Sequence, residues 1–266
     1  MLNKIFLLGV GITNASEERI LEYILKRLKD KPEKTKSLKK FFLTTPNPEI
    51  LVYANKHPRY KKMLNYAEVS LPDGVGVFVA SGLLGNKLQE RIPGVDFIET
   101  LCKGCVRQPI SMGFLGGRPG VAKRTAECLM KKYPWIKVRW AGTDWENEIS
   151  VSKKRHSDTE NNHDTPWVSP YISHDDPIDI LFVAYGFPKQ EEWIIEHLHE
   201  LPVKSAMGVG GAFDYISGEV LRAPFMIRAI GLEWLFRLMR QPWRIKRQMA
   251  LPEFVYLVIK ERFKIK

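Results

Sequence analysis

The sequence predicts an α/β protein: a Rossmann-like, largely parallel sheet with helices on both faces, plus a helical C-terminal appendage. Two observations predict it. Short β-prone apolar runs alternate with amphipathic helical stretches as far as Leu221, which is the pattern of a parallel sheet covered on both sides. From Arg222 onward the alternation stops, and the chain turns apolar, aromatic and basic. The expected division is residues 1–221 for the sheet-bearing catalytic domain, with a polar loop or insertion at 144–176, and residues 222–266 for the appendage.

Asn3 to Val10 reads as a strand ending in Gly9-Val10-Gly11, and Ser16 to Lys29 as a helix with Ile20, Leu21, Ile24, Leu25 and Leu28 on its apolar face. The glycines match a dinucleotide fingerprint only in part, because Asn14 holds the third position and no acidic residue ends the next strand. Leu38 to Thr45 is a second strand. Pro46-Asn47-Pro48 then opens a helix, with Asn47 as N-cap and Pro48 in the first turn. Glu68 to Leu71 has strand character, Pro72 ends it, Gly74 and Gly76 let the backbone turn, and Val75 to Leu84 is an apolar helix. Asp73 thus stands at a strand-to-helix junction with Thr45 and Asn47 on the same sheet edge, where open α/β sheets bind ligands. A helix cap is the alternative use for an Asp in that place.

A loop at Glu90 to Asp96 leads into a helix reaching about Val106. Pro109 to Leu115 is a strand, Gly116 to Gly120 a turn, and Val121 to Lys132 a helix. Such a glycine turn at a helix N-terminus offers N–H groups to a phosphate, although any βα turn can require glycine. Trp135 to Trp140 is the next strand. Asp144 to Asp176 is polar and without period; its His156, His163 and His174 with Asp158, Asp164, Asp175 and Asp176 are metal-ligand types that polar loops also collect without binding anything, and no metal site is expected. Asp179 to Ala184 is a buried strand that turns through Tyr185 to Glu192 into a helix. Val203 to Val209 is the last strand and runs into the close-approach loop Gly208 to Asp214.

Bulk properties narrow the class. With 266 residues, 44% of them apolar, the chain can bury a sizeable core. No apolar run nears the roughly 20 residues of a membrane span, and no cleavage-site pattern follows the first strand, so a cytoplasmic protein is expected. Cys102, Cys105 and Cys128 make no disulfide framework. The formal net charge of +11 favours an anionic partner, and from Arg222 to Lys266 there are eleven Lys/Arg against three Glu. Trp234, Phe236, Trp243, Phe254, Tyr256 and Phe263 interleave with them, which suits a membrane interface better than bulk water. Helical segments broken at Pro242 and Pro252 are expected there. In a continuous helix Arg237, Arg244 and Arg247 would share an arc of about 80°, although Pro242 is expected to kink it.

Thr45-Pro-Asn47-Pro-Glu, Pro72-Asp73-Gly74-Val-Gly76, Glu90-Arg91-Ile-Pro-Gly94-Val-Asp96, Phe114-Leu-Gly116-Gly117, Gly186-Phe-Pro188-Lys189-Gln190-Glu191, Gly208-Val-Gly-Gly-Ala-Phe-Asp214 and Glu233-Trp234-Leu-Phe-Arg237-Leu, in this order, resemble the WecG/TagA/CpsF glycosyltransferase family. The resemblance implies an inverting transferase that moves a sugar, N-acetylmannosamine above all, from a UDP-sugar to a polyprenyl-diphosphate-linked acceptor in cell-surface polysaccharide synthesis. It implies Asp73 as base. Thr45, Asn47, Arg91 and Gln190 line the sugar site on the same grounds, and Gly116, Gly117, Gly210, Gly211 and Asp214 belong to the substrate pocket. Arg237, Arg244 and Arg247 complete it from the appendage. Inversion needs one base, with arginine charge and N–H groups on the leaving diphosphate. The chain has no Asp-x-Asp, so metal-independent transfer is expected without a cofactor. An anionic membrane surface is the expected partner, on the inner face of the cell membrane, with no nucleic acid; a second copy of the chain is a further candidate partner. A UDP-glucose or other UDP-hexose transferase is the alternative. A dehydrogenase would need a full fingerprint at Gly9 to Asn14, and a basic adaptor would leave the glycine loops unexplained.

Overall fold

A computed structural model describes residues 2–29, 39–145, 172 and 176–264. Almost all of the polar 144–176 stretch, including its three histidines, lies outside the described residues. Six strands form one sheet in the order β4 (Val69–Ser70), β3 (Phe41–Thr44), β8 (Val203–Gly208), β7 (Ile178–Ala184), β5 (Ser111–Gly116), β6 (Lys137–Gly142). The pairings β3 with β8, β8 with β7, β7 with β5 and β5 with β6 are all parallel. Every residue of β5 is buried, as is nearly every residue of β7 and β8, as strands covered on both faces must be. The α/β class and the parallel sheet agree with the sequence.

The first strand differs. Residues 3–10 do not enter the sheet: β1 (Lys4–Leu7) and β2 (Val10–Thr13) form an antiparallel hairpin of their own, pairing Leu7 with Val10. Leu8 and Gly9, at φ 52° and 77°, make the two-residue turn. A type I′ hairpin turn takes positive φ at both central positions to match strand twist, and Gly9 meets that demand.

By contact density the chain forms two units, one of Met1–Ile20, Thr44–Phe97 and Val220–Lys266, the other of Leu21–Leu43 and Ile98–Glu219. The C-terminal segment therefore groups with the early part of the chain. In the first unit, α2 (Pro48–Lys56) follows its N-cap Asn47, whose side chain accepts a hydrogen bond from the Ile50 N–H at 3.0 Å. After α3 (Pro58–Tyr66) comes α4 (Val75–Leu83). Two short helices, α9 (Phe225–Ala229) and α10 (Glu233–Arg240), precede a 3-10 turn at Pro242–Arg244, α11 (Ile245–Gln248) and α12 (Ala250–Phe263). Pro242 breaks the helix as expected. Pro252 does not, because it sits in the first turn of α12, where an N–H has no intrahelical acceptor to lose. Phe254 and Val258 of α12 are buried, and α12 packs on α2 and α4. Glu253 pairs with Lys56 at 2.7 Å, and Glu261 accepts the Leu8 N–H at 3.1 Å.

The second unit carries β5 to β8 with α6 (Val121–Lys132), α7 (Lys189–His197) and α8 (Ala212–Ile216). Helix α6 packs on β5, β6 and α8. Two further helices are α1 (Glu17–Lys29) and α5 (Gly94–Gly104). Cys102 and Cys105 are buried at the end of α5, and burial pushes both thiols up, as inert core cysteines require. Because Phe254 is the largest side chain that α12 commits to the first unit, Phe254→Ala should cost about 3–5 kcal/mol. Chemical denaturation read by far-UV circular dichroism checks it, and a loss under about 1 kcal/mol would mean that α12 is only loosely applied.

Candidate active site

Backbone hydrogen bonds fix the loop that carries Asp73. Leu71 N–H donates to the Thr44 carbonyl at 2.8 Å, Asp73 N–H to that of Pro46 at 3.1 Å, and Ile92 N–H to that of Pro72 at 3.0 Å. Gly74, at φ 87°, lets the chain turn into α4 and is itself the N-cap, with no side-chain capping bond. Asp73 is thus not spent on the cap. Asp73 is partly buried, and burial pushes its carboxyl up to about 7; the charges of Glu233 and Asp96 push the same way, while Arg91 and the Gly94 N–H pull against them. Gly94 has to be glycine, since a Cβ there would come within 2.9 Å of the Thr45 methyl.

Around Asp73 stands a set of charges supplied by residues 91–96 and 222–233. The Arg222 guanidinium grips both oxygens of Asp96, Nη2 to Oδ2 at 2.7 Å, and its Nε reaches Glu233 at 3.2 Å. Although burial works against its charge, these two carboxylates raise the proton affinity of Arg222 above the ordinary arginine value. Arg91 donates to the Arg228 carbonyl at 3.2 Å, and Arg228 Nη1 lies 3.9 Å from Asp96. Sequence reasoning does not single out Asp96, Arg222, Arg228 or Glu233. Asp96 and Glu233 lie within its motifs, but Arg222 and Arg228 register there only as charge.

The arginines expected from the appendage take other partners. Arg247 binds Glu49, in the first turn of α2, at 2.8 Å, and Arg237 Nε donates to Gln241 at 3.3 Å. Arg244 is half-buried in the 3-10 turn. Since α10 ends at Arg240, the three do not share one helical face.

The second unit holds the glycine loops. Gly116 and Gly117 have φ 100° and 77°, and a Cβ on Gly116 would meet the Tyr185 ring at 2.9 Å and the Ala184 carbonyl carbon at 3.1 Å. Gly117 donates its N–H to the Ala184 carbonyl at 3.2 Å. Gln190 is buried and engaged at both ends of its carboxamide: Oε1 accepts the Gly210 N–H at 2.9 Å and Nε2 donates to Glu191 at 2.7 Å. It holds the Gly208–Gly211 loop in place. Gly210, at φ 53°, has nothing within 4 Å of the place a Cβ would occupy, and Gly211 caps α8 without a side-chain bond. Asp214 lies 3.8 Å from Arg118, which with Arg124 also binds Glu219. Among the described residues no group of three or more His, Cys, Asp or Glu is arranged to hold a metal ion.

The loops that carry Thr45 and Asn47, Asp73, Gly116 and Gly117, and Gly210 and Gly211 each follow the carboxyl end of a strand, where open α/β sheets bind ligands. The profile of the Glycosyl transferase WecG/TagA/CpsF family matches residues 5–266, and the chain belongs to that family; it is a glycosyltransferase. Among similar proteins, the N-acetylglucosaminyldiphosphoundecaprenol N-acetyl-beta-D-mannosaminyltransferase of Bacillus spizizenii is 34% identical over 219 residues, covering 82% of this chain and 79% of its own. The enzyme of that name from Bacillus subtilis is 35% identical over the same shares. One from Staphylococcus aureus is 31% identical over 265 residues, 99% of this chain and 95% of its own.

A carboxyl raised to about 7 implies that folding holds a proton there which the unfolded chain, with its ordinary value of 3.8, has released. Between these pH values the native state binds more protons, so this group's contribution to stability falls as pH rises from about 4 to 7. Asp73→Asn removes that penalty. The variant should be more stable than the parent at pH 8, by up to roughly 4 kcal/mol, and no different at pH 4. Paired calorimetric scans at the two pH values measure it, and a variant less stable at pH 8 would contradict the raised carboxyl.

Proposed function

We propose that the protein transfers N-acetylmannosamine from a UDP-sugar to N-acetylglucosamine carried on polyprenyl diphosphate, with inversion, during synthesis of a cell-surface polysaccharide. The observation that carries this reading is the Asp73 carboxyl on the loop between β4 and α4, in a chain that aligns over 99% of its length with an enzyme named for that acceptor. Direct displacement needs a base on the attacking sugar hydroxyl. Asp73 at about 7 is a stronger base than an ordinary carboxylate, yet about half ionised at neutral pH. The β linkage in the relatives' name is what inversion of an α-linked nucleotide sugar yields.

Charge on the departing UDP is met by N–H groups and guanidinium groups. Gly116, Gly117, Gly210 and Gly211 are assigned to the donor, with Asp214 beside them and Gln190 holding the loop. Thr45, Asn47 and Arg91 are assigned to the sugars near Asp73. Arg237, Arg244 and Arg247 are assigned to the diphosphate, for which Arg247 has to exchange Glu49 for the ligand. The protein is assigned to the inner face of the membrane; no described helix is long and apolar enough to cross one. Phe225, Met239, Trp243, Met249 and Phe263, all exposed, rest among the basic residues of the same segment and suit an anionic lipid surface.

The test is transfer from a panel of UDP-sugars to a lipid-diphosphate N-acetylglucosamine in detergent, with the product's anomeric configuration read by NMR. A β-linked N-acetylmannosaminyl product is expected, and transfer from UDP-glucose alone would replace the donor assignment with a hexose. Asp73→Asn should lose about 10²- to 10⁴-fold in kcat while binding UDP nearly as before. For the parent, kcat/KM should rise with pH through about 7, since the base works only when deprotonated. Wild-type turnover by the variant would remove Asp73 from the chemistry.

Charge stabilisation by arginine implies metal-independent transfer. Activity should survive exhaustive chelation within about twofold; loss with EDTA and recovery with magnesium or manganese would show that a cation holds the diphosphate.

A further inference from the structure

Arg228 is less fully paired than Arg222 beside it. Both oxygens of Asp96 are already gripped by Arg222, which leaves Arg228 only a 3.9 Å approach to one of them. Its Nε is buried and has no hydrogen-bond partner. A buried guanidinium N–H without an acceptor is costly, and such groups in native structures usually await a ligand or water. Arg91, Arg222 and Arg228 carry three positive charges against Asp96 and Glu233, and Asp73 removes the surplus only when ionised. An anion is therefore the missing partner.

The neighbours of Arg228 say which anion. Its guanidinium carbon lies 6.0 Å from the centre of the Phe225 ring, and on the same short stretch Phe225, Met226 and Ile230 are 74%, 79% and 67% exposed. The diphosphate of a nucleotide sugar is flanked by a ribose and a sugar, both polar. That of a prenyl-linked sugar has hydrocarbon on one side. Only the second asks for arginine beside uncovered apolar side chains.

We propose that Arg228, supported by Arg91, binds the diphosphate of the lipid-linked acceptor, and that Phe225, Met226 and Ile230 receive its first prenyl units. This rests on the reading of the acceptor given above. Calorimetric titration of the full chain in detergent with farnesyl diphosphate, and separately with UDP, tests it without any transfer step. Arg228→Gln should weaken farnesyl diphosphate by about 10- to 100-fold, the scale of a charged hydrogen-bonded contact, and leave UDP unchanged. Arg228→Lys should restore part of the loss. The pair Phe225→Ser and Met226→Ser should weaken farnesyl diphosphate but not inorganic pyrophosphate. Loss of UDP affinity with farnesyl diphosphate untouched would assign Arg228 to the donor and overturn the proposal. So would equal loss of both ligands, or no binding of farnesyl diphosphate by the parent. If the parent binds farnesyl diphosphate through Arg228 but transfers sugar to no lipid-linked acceptor, the proposed reaction falls and this site stands. If transfer proceeds and Arg228→Gln keeps the parent's acceptor KM, this site alone falls.

Discussion

The paired hydrogen bonds from Arg222 to Asp96 join positions 126 residues apart in sequence, and much of the arrangement around Asp73 depends on them. They bring the 222–233 segment to the start of α5. Once there, Glu233 completes the grip on Arg222, and the Arg228 carbonyl accepts Arg91. The pair is partly exposed, so its stabilising worth is modest. Its geometric effect is larger, because a bidentate guanidinium–carboxylate contact fixes direction as well as distance. Arg222 thereby holds Glu233 and Asp96, two of the three charges that most affect the proton on Asp73.

The parallel sheet is legible in the sequence because strand and helix periods are local properties, and the same holds for Asn47 as a cap and Asp73 at a junction. Glycine loops after strand ends are legible too. The hairpin at residues 4–13 is not, since Leu8 takes positive φ and nothing in its side chain announces that. Pro252 reads as a break in the sequence because only position within a helix decides whether proline interrupts it. Asp96, Arg222, Arg228 and Glu233 escape notice for a different reason. Their importance comes from pairing across the chain, and a charge viewed in its own window cannot show its partner. Arg247 illustrates the same point: a residue named from the resemblance stands on Glu49, a partner no local pattern suggests.

Gln190 shows how one motif residue can set the shape of a loop. With both ends of its carboxamide engaged inside the protein, it acts on the Gly208–Gly211 loop, and a Cβ on Gly208 would strike its Nε2 at 2.8 Å. Loop conformation and side-chain packing are one constraint there. Substituting either partner would disturb the other.

Gly231 is packed against Val75 so closely that a Cβ would lie 2.7 Å from the valine methyl. Its φ of 78° holds the turn between α9 and α10 in a conformation few residues accept. Val75 in turn stands two residues after Asp73, at the first position of α4. No void separates the turn from that helix start, and close-packed groups transmit displacement instead of absorbing it. A side chain at position 231 would therefore have to displace the start of α4, two residues from Asp73, so the turn after Arg228 and the Asp73 loop restrict each other's backbone.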